Sequence, residues 1–532
     1  MIALLTSLWT RVYGWLGQVS MYRLVMLALA ALSLIAFVLS FLGLVVPSPG
    51  ELIVTALVLG AVCVGVNAIA QRVVRMPARY ESSLITAYIL LFVLRPSLDP
   101  IALLGCALAG AIAVASKYAI AWRGRHILNP AAVGATVLTA VSAIWPDAGL
   151  GASAWWVGTP VLAVPVVVLG LAVLLRTERL RIVLVFLLVA VGITVVRQGI
   201  QAQQFGIAFD PWTSVGSALW SFPFLFLGAF MLSEPLTLPP RRWQQFTVAA
   251  IVGVLAGWPI PIGDAFTLGQ ERALLIGNLI GFVWATHRIV RLRFEDDRML
   301  TPTVREVTFR TRRRLRFTAG QYLELEVPHR RPDARGTRRE FSIVSAPSDT
   351  PLVRIAYRVK EGARESTYKQ ALAQASPGVD YAATGVWGDF VLPRDPAAPL
   401  VLVAAGIGVT PFVSQLREAR ARGEQRDVVV VYVASESAEL AYLGDLAGTA
   451  ASGGGTGMTV RGVIFTRDRP DDVPVGWEWA QGVRLDAEGL RRVVPDLAAR
   501  HAYISGPPAL IAALAPTLES ARSLTTDAFS GY

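Results

Sequence analysis

Short motifs in the last part of the chain contain residues that suit phosphate binding and hydride transfer. Arg339, Phe341 and Ser342 lie together at the end of a predicted strand. There an arginine can pair with a pyrophosphate, an aromatic ring can stack on a flat cofactor, and a hydroxyl can reach the atom that accepts a hydride. Glycine turns follow at 385–390 and 406–411, where the backbone itself can approach phosphate groups. These residues predict chemistry on a nucleotide cofactor.

The elements that must position these motifs form two patterns. Short stretches of alternating polarity come first and are typical of an antiparallel barrel. Continuous apolar strands on either side of a helical stretch come next and are typical of a parallel, nucleotide-binding α/β unit. The turn at 406–411 joins a buried strand to the start of that helix, which places a phosphate at a helix N-terminus. The alternating stretches are 304–310, 322–327 and 352–359; the apolar strands are 399–404 and 427–433, and the helical stretch is 411–422.

In this order and spacing the motifs resemble the ferredoxin–NADP⁺ reductase family, over about 297–532. The resemblance implies a cytoplasmic FAD-binding β-barrel followed by an NAD(P)H-binding α/β domain. By match, Ser342, Ser505 and Tyr532 are the catalytic residues, with Tyr532 stacked on the flavin face that the nicotinamide must occupy. The residues implied to contact FAD are Arg339, Phe341, Ser342, Ser366, Thr367 and Gly385. Those implied to contact NAD(P)H are Gly406, Gly408, Thr410, Pro411, Gly506, Pro507 and Tyr532.

The sequence departs from that family's pattern at three positions. Phe341 stands where tyrosine is usual, which keeps the ring and removes a hydroxyl. Ser505 stands where many members have cysteine, so the group that steers the nicotinamide is altered. Ser435 occupies the place of the usual arginine after the second α/β strand, although Arg467 and Arg469 could pair with a 2′-phosphate. The choice between NADH and NADPH stays open.

The part of the chain before the reductase motifs has the composition of a membrane protein. Apolar residues make up 54% of the chain and charged residues 16%, with a mean hydropathy of +0.52. The net charge of +11 comes mostly from arginines between long apolar runs, which favours contact with a lipid bilayer rather than with nucleic acid. By the positive-inside rule both termini are cytoplasmic and the loop at 146–157 faces outward, in a bacterial inner membrane. The predicted spans are 22–46, 52–70, 82–95, 101–121, 128–145, 158–175, 181–197, 216–233, 246–262 and 273–291.

We therefore predict a polytopic α-helical membrane domain of about ten spans at 1–295, followed by an FAD-binding barrel at 296–396 and an NAD(P)H-binding α/β domain at 397–532.

The cysteines Cys63 and Cys106 are too few for a zinc ribbon or a four-cysteine iron–sulfur centre. His126 and His287 are the membrane half's histidines, which excludes two bis-histidine haems. No metal site is expected.

Residues 116–132 and 233–239 resemble the membrane flavin subunit shared by sodium-pumping NADH:quinone reductase and the Rnf complex, over roughly 70–290. Asn129 is a good helix N-cap and Pro130 suits the first helical position. The positive end of that helix suits a second flavin near Asn129, and an ordinary helix start explains the same residues equally well. Glu234 and Pro235 likewise suit a helix end.

The same resemblance implies a covalent FMN, joined by a phosphoester to a Ser or Thr in the outer loop. The run at 147–153 (Asp-Ala-Gly-Leu-Gly-Ala-Ser) fits the attachment motif except at Leu150, and it makes Ser153 the acceptor. Thr159 is the fallback acceptor. Attachment needs an FAD:protein FMN transferase as maturation partner.

Together these features predict a transmembrane flavin oxidoreductase that passes electrons from cytoplasmic NAD(P)H through FAD to the outer FMN and an extracytoplasmic acceptor or quinone. One alternative is an ion-translocating NAD(P)H:quinone reductase. A transporter gated by a cytoplasmic nucleotide sensor is an alternative of a different class. The hydrocarbon layer is ~30 Å thick, so a carrier between FAD and the outer FMN is implied.

Replacing Tyr532 by alanine is expected to tighten nicotinamide binding and to slow product release, because the nicotinamide would no longer have to displace a stacked ring. Stopped-flow titration of the flavin with NADH and with NADPH measures both effects. Unchanged binding and turnover with both nucleotides would contradict the assignment.

Overall fold

The computed structural model describes residues 21–73, 80–122, 125–177, 179–239, 241–262, 266–284, 290–312, 314–329, 337–359, 365–448, 458–482 and 485–528. The chain divides near residue 288 into two compact units, a helical one and a largely β-stranded one. The predicted stacking of Tyr532 on the flavin lies outside the described residues.

The first unit consists of apolar helices with two short hairpins. The hairpins pair β1 (Ala121–Trp122) with β2 (Arg125–His126), and β3 (Ile260–Ile262) with β4 (Phe266–Leu268). The helices are α1 (Met21–Phe41), α2 (Pro49–Val73), α3 (Glu81–Val93), α4 (Pro100–Ala119), α5 (Pro130–Ile144), α6 (Pro160–Thr177), α7 (Leu180–Phe205), α8 (Pro211–Trp220), α9 (Phe224–Leu232), α10 (Arg242–Gly257) and α11 (Gln270–Trp284).

Among the described residues, five helices are long and apolar enough to cross a membrane: α1, α2, α4, α6 and α7. The pair α8 and α9 is bent by 52° and adds a sixth if it counts as one span. The prediction of ten spans is thus supported for five or six of them. Helices do lie within the other predicted spans, but α3 has 13 residues and α5 has 15, below the ~20 that a straight crossing needs.

Close packing of α4 against α5 depends on glycine. A Cβ on Gly134 would lie 2.3 Å from the carbonyl oxygen of Ala109, and one on Gly105 would lie 1.9 Å from that of Leu150. Because a side chain at either position would collide with backbone, these glycines let α5 and the following loop lie directly against α4. Leu150, the residue that departs from the attachment motif, is held by this contact.

The second unit begins with a six-stranded antiparallel sheet in the order β8-β7-β10-β5-β6-β9. The sheet starts at Val290, ahead of the predicted domain boundary at 296, because residues 290–293 pair with 380–383. Its interior is a cluster of buried apolar side chains such as Leu292, Phe309 and Leu323. Its strands are β5 (Val290–Thr301), β6 (Val304–Thr311), β7 (Tyr322–Glu326), β8 (Arg338–Ser342), β9 (Leu352–Arg358) and β10 (Asp380–Trp387), with helix α12 (Thr367–Ala373) before β10.

A six-stranded parallel sheet follows, in the order β14-β13-β12-β11-β15-β16. Its central strands are continuous runs of buried residues, as expected for a sheet covered on both faces. The strands are β11 (Leu400–Ala405), β12 (Asp427–Val433), β13 (Thr459–Phe465), β14 (Trp477–Trp479), β15 (His501–Gly506) and β16 (Ser523–Ala528). The helices are α13 (Thr410–Ala421), α14 (Leu443–Ala447), α15 (Ala487–Val493) and α16 (Pro508–Leu518).

The barrel and the parallel sheet share a core. The ring of Phe390 lies 5.4 Å from the rings of Phe412 and of Tyr503. The hydroxyl of Tyr442 donates a 2.6 Å hydrogen bond to the buried carboxylate of Glu306. Burial raises the pKa of Tyr442, with the charge of Glu306 as the next cause, so the phenol keeps the proton that this bond requires. The two halves therefore pack as one unit.

A fragment that begins at residue 288 is expected to be soluble and yellow, because it keeps all of β5. A fragment that begins at 297 loses every β5–β10 pair and opens the barrel, so it should retain less FAD and unfold at lower temperature. Flavin absorbance after gel filtration and thermal unfolding of both fragments check this. Equal flavin content and equal stability would contradict it.

Candidate active site and membrane flavin sites

The proposed nucleotide site lies where the carboxyl ends of β11 and β15 meet. These strands are parallel neighbours, with Ala404 paired to Ser505. A Cβ on Gly408 would lie 2.3 Å from the carbonyl oxygen of Ser505, so only glycine allows the two turns to touch. Gly406 has φ +53° and open space where a Cβ would point, which leaves its backbone accessible to a phosphate. This edge of the sheet is where open α/β folds bind nucleotides.

Ser505 is fully buried, and its Oγ has no hydrogen-bond partner among the described residues. A buried hydroxyl without a partner costs about 1–3 kcal/mol, so it marks a place where a ligand atom can supply the missing bond. A nicotinamide ring with its polar carboxamide fits this requirement. Two other predicted residues lie at this edge. The Thr410 hydroxyl donates to the Ile407 carbonyl at 3.0 Å. Pro507, whose backbone is extended, is the N-cap residue of α16.

The barrel brings Arg339 and Phe341 together around a third residue, Tyr368. The Arg339 guanidinium carbon lies 4.9 Å from the centre of the Tyr368 ring, and the Phe341 ring is stacked on that ring at 6.0 Å. The Tyr368 hydroxyl donates to the Leu325 carbonyl at 2.9 Å, which fixes the ring inside the barrel. The sequence motifs do not point to Tyr368, although it directly follows the predicted FAD contacts Ser366 and Thr367.

Phe341 is 3% exposed and adjoins Tyr357 as well as Tyr368. Burial raises the pKa of Tyr357, so its phenol stays protonated and uncharged. Stacking of Phe341 on a flavin stays a prediction. Ser342, next along β8, is 6% exposed and lies opposite Tyr322 of β7.

Ser366 and Thr367 open the helix that carries Tyr368. The Ser366 hydroxyl caps α12 by accepting from the Lys369 N–H at 3.3 Å, and the Thr367 hydroxyl lies 3.2 Å from His329 Nε2. Gly385 lies at a register shift between β10 and β7, where a Cβ would come within 2.6 Å of the Trp387 ring. The predicted contact of Arg339, Ser366, Thr367 and Gly385 with the pyrophosphate of FAD stays a prediction.

The residues that could distinguish NADH from NADPH are exposed after β12 and β13. Arg467 lies 4.0 Å from Glu436, and their side chains are 79% and 61% exposed. Ser435, at the place of the family's usual arginine, accepts a backbone hydrogen bond from Arg467 at 3.3 Å. Arg467 is thus near the strand end where a 2′-phosphate would lie, but it already faces a carboxylate.

The predicted FMN acceptor, Ser153, lies in a loop held by many bonds. The backbone N–H groups of Ala154 and Trp155 donate to the Val93 carbonyl at the end of α3, at 2.8 and 2.9 Å. Trp155 has φ +47°, a conformation that a bulky residue adopts only when its surroundings impose it. The Ser153 hydroxyl donates a 2.6 Å hydrogen bond to Glu271, at the start of α11. Sequence spacing gave no signal for Glu271.

Asn129 caps α5 as predicted, by accepting from the Ala132 N–H at 3.1 Å. Its own N–H donates to Asn278 of α11 at 2.8 Å, and its amide donates to Glu234 at 3.0 Å. Glu234 also lies 2.8 Å from His126. These contacts join the two sequence motifs into one cluster at the edge of a cleft that is also lined by Lys117. The helix cap is therefore part of a polar site rather than an isolated helix start.

Comparison with known proteins identifies the kind of domain at the nucleotide edge. Residues 402–515 match the model of the oxidoreductase NAD-binding domain. An NADPH oxidoreductase of Mycobacterium tuberculosis is 32% identical over 193 residues, which are 36% of this chain and 46% of that protein. Ferredoxin–NADP reductase B of Sorangium cellulosum is 34% identical over 153 residues, which are 28% of this chain and 59% of that protein.

Among solved structures, the cytochrome P450 reductase GcoB of Amycolatopsis is 25% identical with a TM-score of 0.38, over 46% of this chain and 70% of that one. The chain spans about half the length of the curated relatives that it matches. The prediction that its C-terminal unit is an FAD-dependent NAD(P)H oxidoreductase of the ferredoxin-reductase type is confirmed. The resemblance of the membrane unit to a flavin subunit is not established by these comparisons and stays a prediction.

Replacing Ser505 by alanine is expected to slow flavin reduction by NAD(P)H about tenfold, because the buried hydroxyl that would position the nicotinamide is lost. The melting temperature should stay the same or rise, since the variant removes a buried polar atom without a partner. Replacement by cysteine should restore or raise the rate. Stopped-flow flavin reduction and thermal unfolding measure the two effects, and a normal rate in the alanine variant would contradict the role.

Proposed function

We propose that this protein is a transmembrane flavin oxidoreductase of a bacterial inner membrane, with both termini cytoplasmic. It takes electrons from cytoplasmic NAD(P)H through FAD and delivers them to an FMN on Ser153 and then to an extracytoplasmic acceptor. The observation that carries the proposal is that one helix, α5, has a candidate flavin site at each end and belongs to the same chain as a reductase unit.

Electrons enter the protein through the reductase unit. A bound FAD would supply the conversion of a two-electron hydride from NAD(P)H into single electrons. The chain's own residues position the two cofactors: Arg339 beside Tyr368 suits the FAD pyrophosphate, and the open turn at Gly406 suits the nucleotide phosphate. Ser505, buried without a partner among the described residues, is placed to receive the nicotinamide.

The loop with Ser153 has the properties of a modification site. Ser153 is partly exposed, and Gly151 and Ala154 on either side are exposed, so a transferase can reach the hydroxyl. Contacts with α3 and α5 hold the loop, including a 3.0 Å hydrogen bond from the Ser153 N–H to the Thr139 hydroxyl. A flavin attached there would stay at the end of the helix bundle instead of moving with a free loop.

The cleft at Asn129 supports a second flavin as the intermediate carrier. It is lined by apolar side chains such as Ile89 and Phe230, and by the polar groups of Lys117, Asn129 and Glu234. A mostly apolar cleft with a few fixed polar groups suits a flat, partly polar ring system. The Glu234 carboxylate is hydrogen-bonded to His126 and Asn129, which fixes its position in the cleft.

The spacing of the two membrane sites fits electron transfer in steps. Asn129 caps the start of α5 and Thr139, which contacts Ser153, lies ten residues further on. At 1.5 Å per residue these positions are about 15 Å apart along the helix axis. The hydrocarbon layer is ~30 Å thick, so a carrier at Asn129 would divide the crossing into shorter steps.

The test is an inventory of flavins in the full-length protein, coexpressed with an FAD:protein FMN transferase. We expect FAD to be released on denaturation and FMN to stay with the polypeptide as a fluorescent gel band. Ser153→Ala should abolish this band and leave NAD(P)H oxidation with a soluble artificial acceptor unchanged, because that reaction needs only the reductase unit. Thr159→Ala is the matched control and should keep the band.

Two outcomes would contradict the proposal. Fluorescence that survives Ser153→Ala and disappears in Thr159→Ala would move the attachment to the fallback residue. A wild-type protein without covalent flavin, in the presence of active transferase, would remove the outer carrier.

A further inference from the structure

The carboxylate of Glu271 is the most deeply buried charged group next to the proposed attachment site. Glu271 is 1% exposed and lies at the second position of α11. Its Oε1 accepts from the Ser153 hydroxyl at 2.6 Å, and its Oε2 accepts from the Trp155 indole N–H at 2.8 Å. Arg272 lies 3.1 Å from Oε1 and compensates the charge. The fold thus places a charged acceptor on a hydroxyl 118 residues away in sequence.

A stabilising role alone does not account for this arrangement. A buried carboxylate costs several kcal/mol unless its partners compensate for lost water, and apolar residues of similar size can do as well. One of its bonds is made to the hydroxyl that the proposed function needs as a nucleophile. The short distance and the acceptor-only chemistry of a carboxylate are what a group that orients a nucleophile and takes its proton requires.

We infer that Glu271 positions the Ser153 hydroxyl for modification and accepts its proton during flavin attachment; the inference rests on the proposed function. In that step the Ser153 Oγ attacks the phosphorus next to the riboflavin part of FAD. The new Oγ–P bond replaces the P–O bond to the AMP phosphate, AMP leaves, and the serine proton passes to Glu271 and then to solvent. Nothing is oxidised or reduced, and the transferase supplies the FAD site.

Trp155 and Arg272 support this role by fixing the carboxylate. The Trp155 indole holds Oε2, which leaves Oε1 directed at the serine. Trp155 has a positive φ and is buried, whereas Ser153, two residues before it, stays partly exposed. The acceptor is therefore preorganised before the transferase binds.

The experiment measures attachment rather than electron transfer. The full-length protein is made in cells without the transferase, purified, and incubated with purified transferase, FAD and Mg²⁺. Initial rates of covalent fluorescence and of AMP release are recorded for the wild type, Glu271→Gln, Glu271→Asp, Trp155→Phe and Glu81→Gln. Glu81 is an exposed glutamate at the start of α3 and controls for the substitution itself.

We expect Glu271→Gln to slow attachment about a hundredfold, since the amide is similar in shape but cannot take the proton. Glu271→Asp should give an intermediate rate, because the shorter side chain keeps the carboxylate but holds it farther from the Ser153 hydroxyl. The ratio of wild-type to Glu271→Gln rates should fall as pH rises, because hydroxide then replaces the missing acceptor. Glu81→Gln should match the wild type, and all variants should oxidise NAD(P)H with a soluble acceptor at the wild-type rate.

The failures of the inference and of the proposed function are distinguishable. If the wild type is modified, Ser153→Ala is not, and Glu271→Gln is modified at the wild-type rate, the role of Glu271 is overturned and the attachment site stands. If Glu271→Gln and Trp155→Phe slow attachment equally with the pH dependence of the wild type, Glu271 only holds the loop and the inference is overturned. A wild type that takes no covalent flavin overturns the proposed attachment and this inference with it.

Discussion

The membrane unit depends on two polar contacts that join α11 to the start of α5 and to the loop that follows α5. At the start of α5 the Asn129 N–H is held by Asn278, and beside Thr139 the loop serine Ser153 is held by Glu271. Because Asn278 follows Glu271 on α11, the two helices run in opposite directions, and α11 brings one buried polar residue to each site. In an apolar unit such contacts define the register, since a shift by one residue would leave buried groups without partners.

This constraint explains why both helices are shorter than a straight membrane crossing needs. Each has 15 residues, so an end lies close to each candidate site, where backbone groups and side chains can serve a cofactor. Irregular backbone at membrane depth is tolerated where it is buried in protein or lines a site.

In the reductase unit, tight packing holds one polar group, the Ser505 hydroxyl, without a hydrogen-bond partner among the described residues. Gly408 and Ser505 meet at the end of the parallel sheet so closely that no side chain fits between them. The same packing leaves the Ser505 hydroxyl buried without a partner among the described residues. The barrel, by contrast, uses a stack of rings, with Tyr368 between Arg339 and Phe341. The shared core at Phe390 joins these two halves into one unit.

The sequence by itself determined the order of the parts and the local elements. These elements follow from local patterns, namely apolar runs, alternating strands and glycine turns. The strands and helix α13 lie where these patterns predicted them. Asn129 acts as the predicted helix cap because capping involves residues only three apart.

Only the tertiary structure decided what lies around those residues. Glu271 beside Ser153, Asn278 beside Asn129 and Tyr368 between Arg339 and Phe341 are contacts between separate elements, and residue spacing along a chain carries no signal for them. The number of helices long enough to cross a membrane also depended on where each helix ends. Hydropathy averages over a window and does not register the caps and breaks that end α3 and α5.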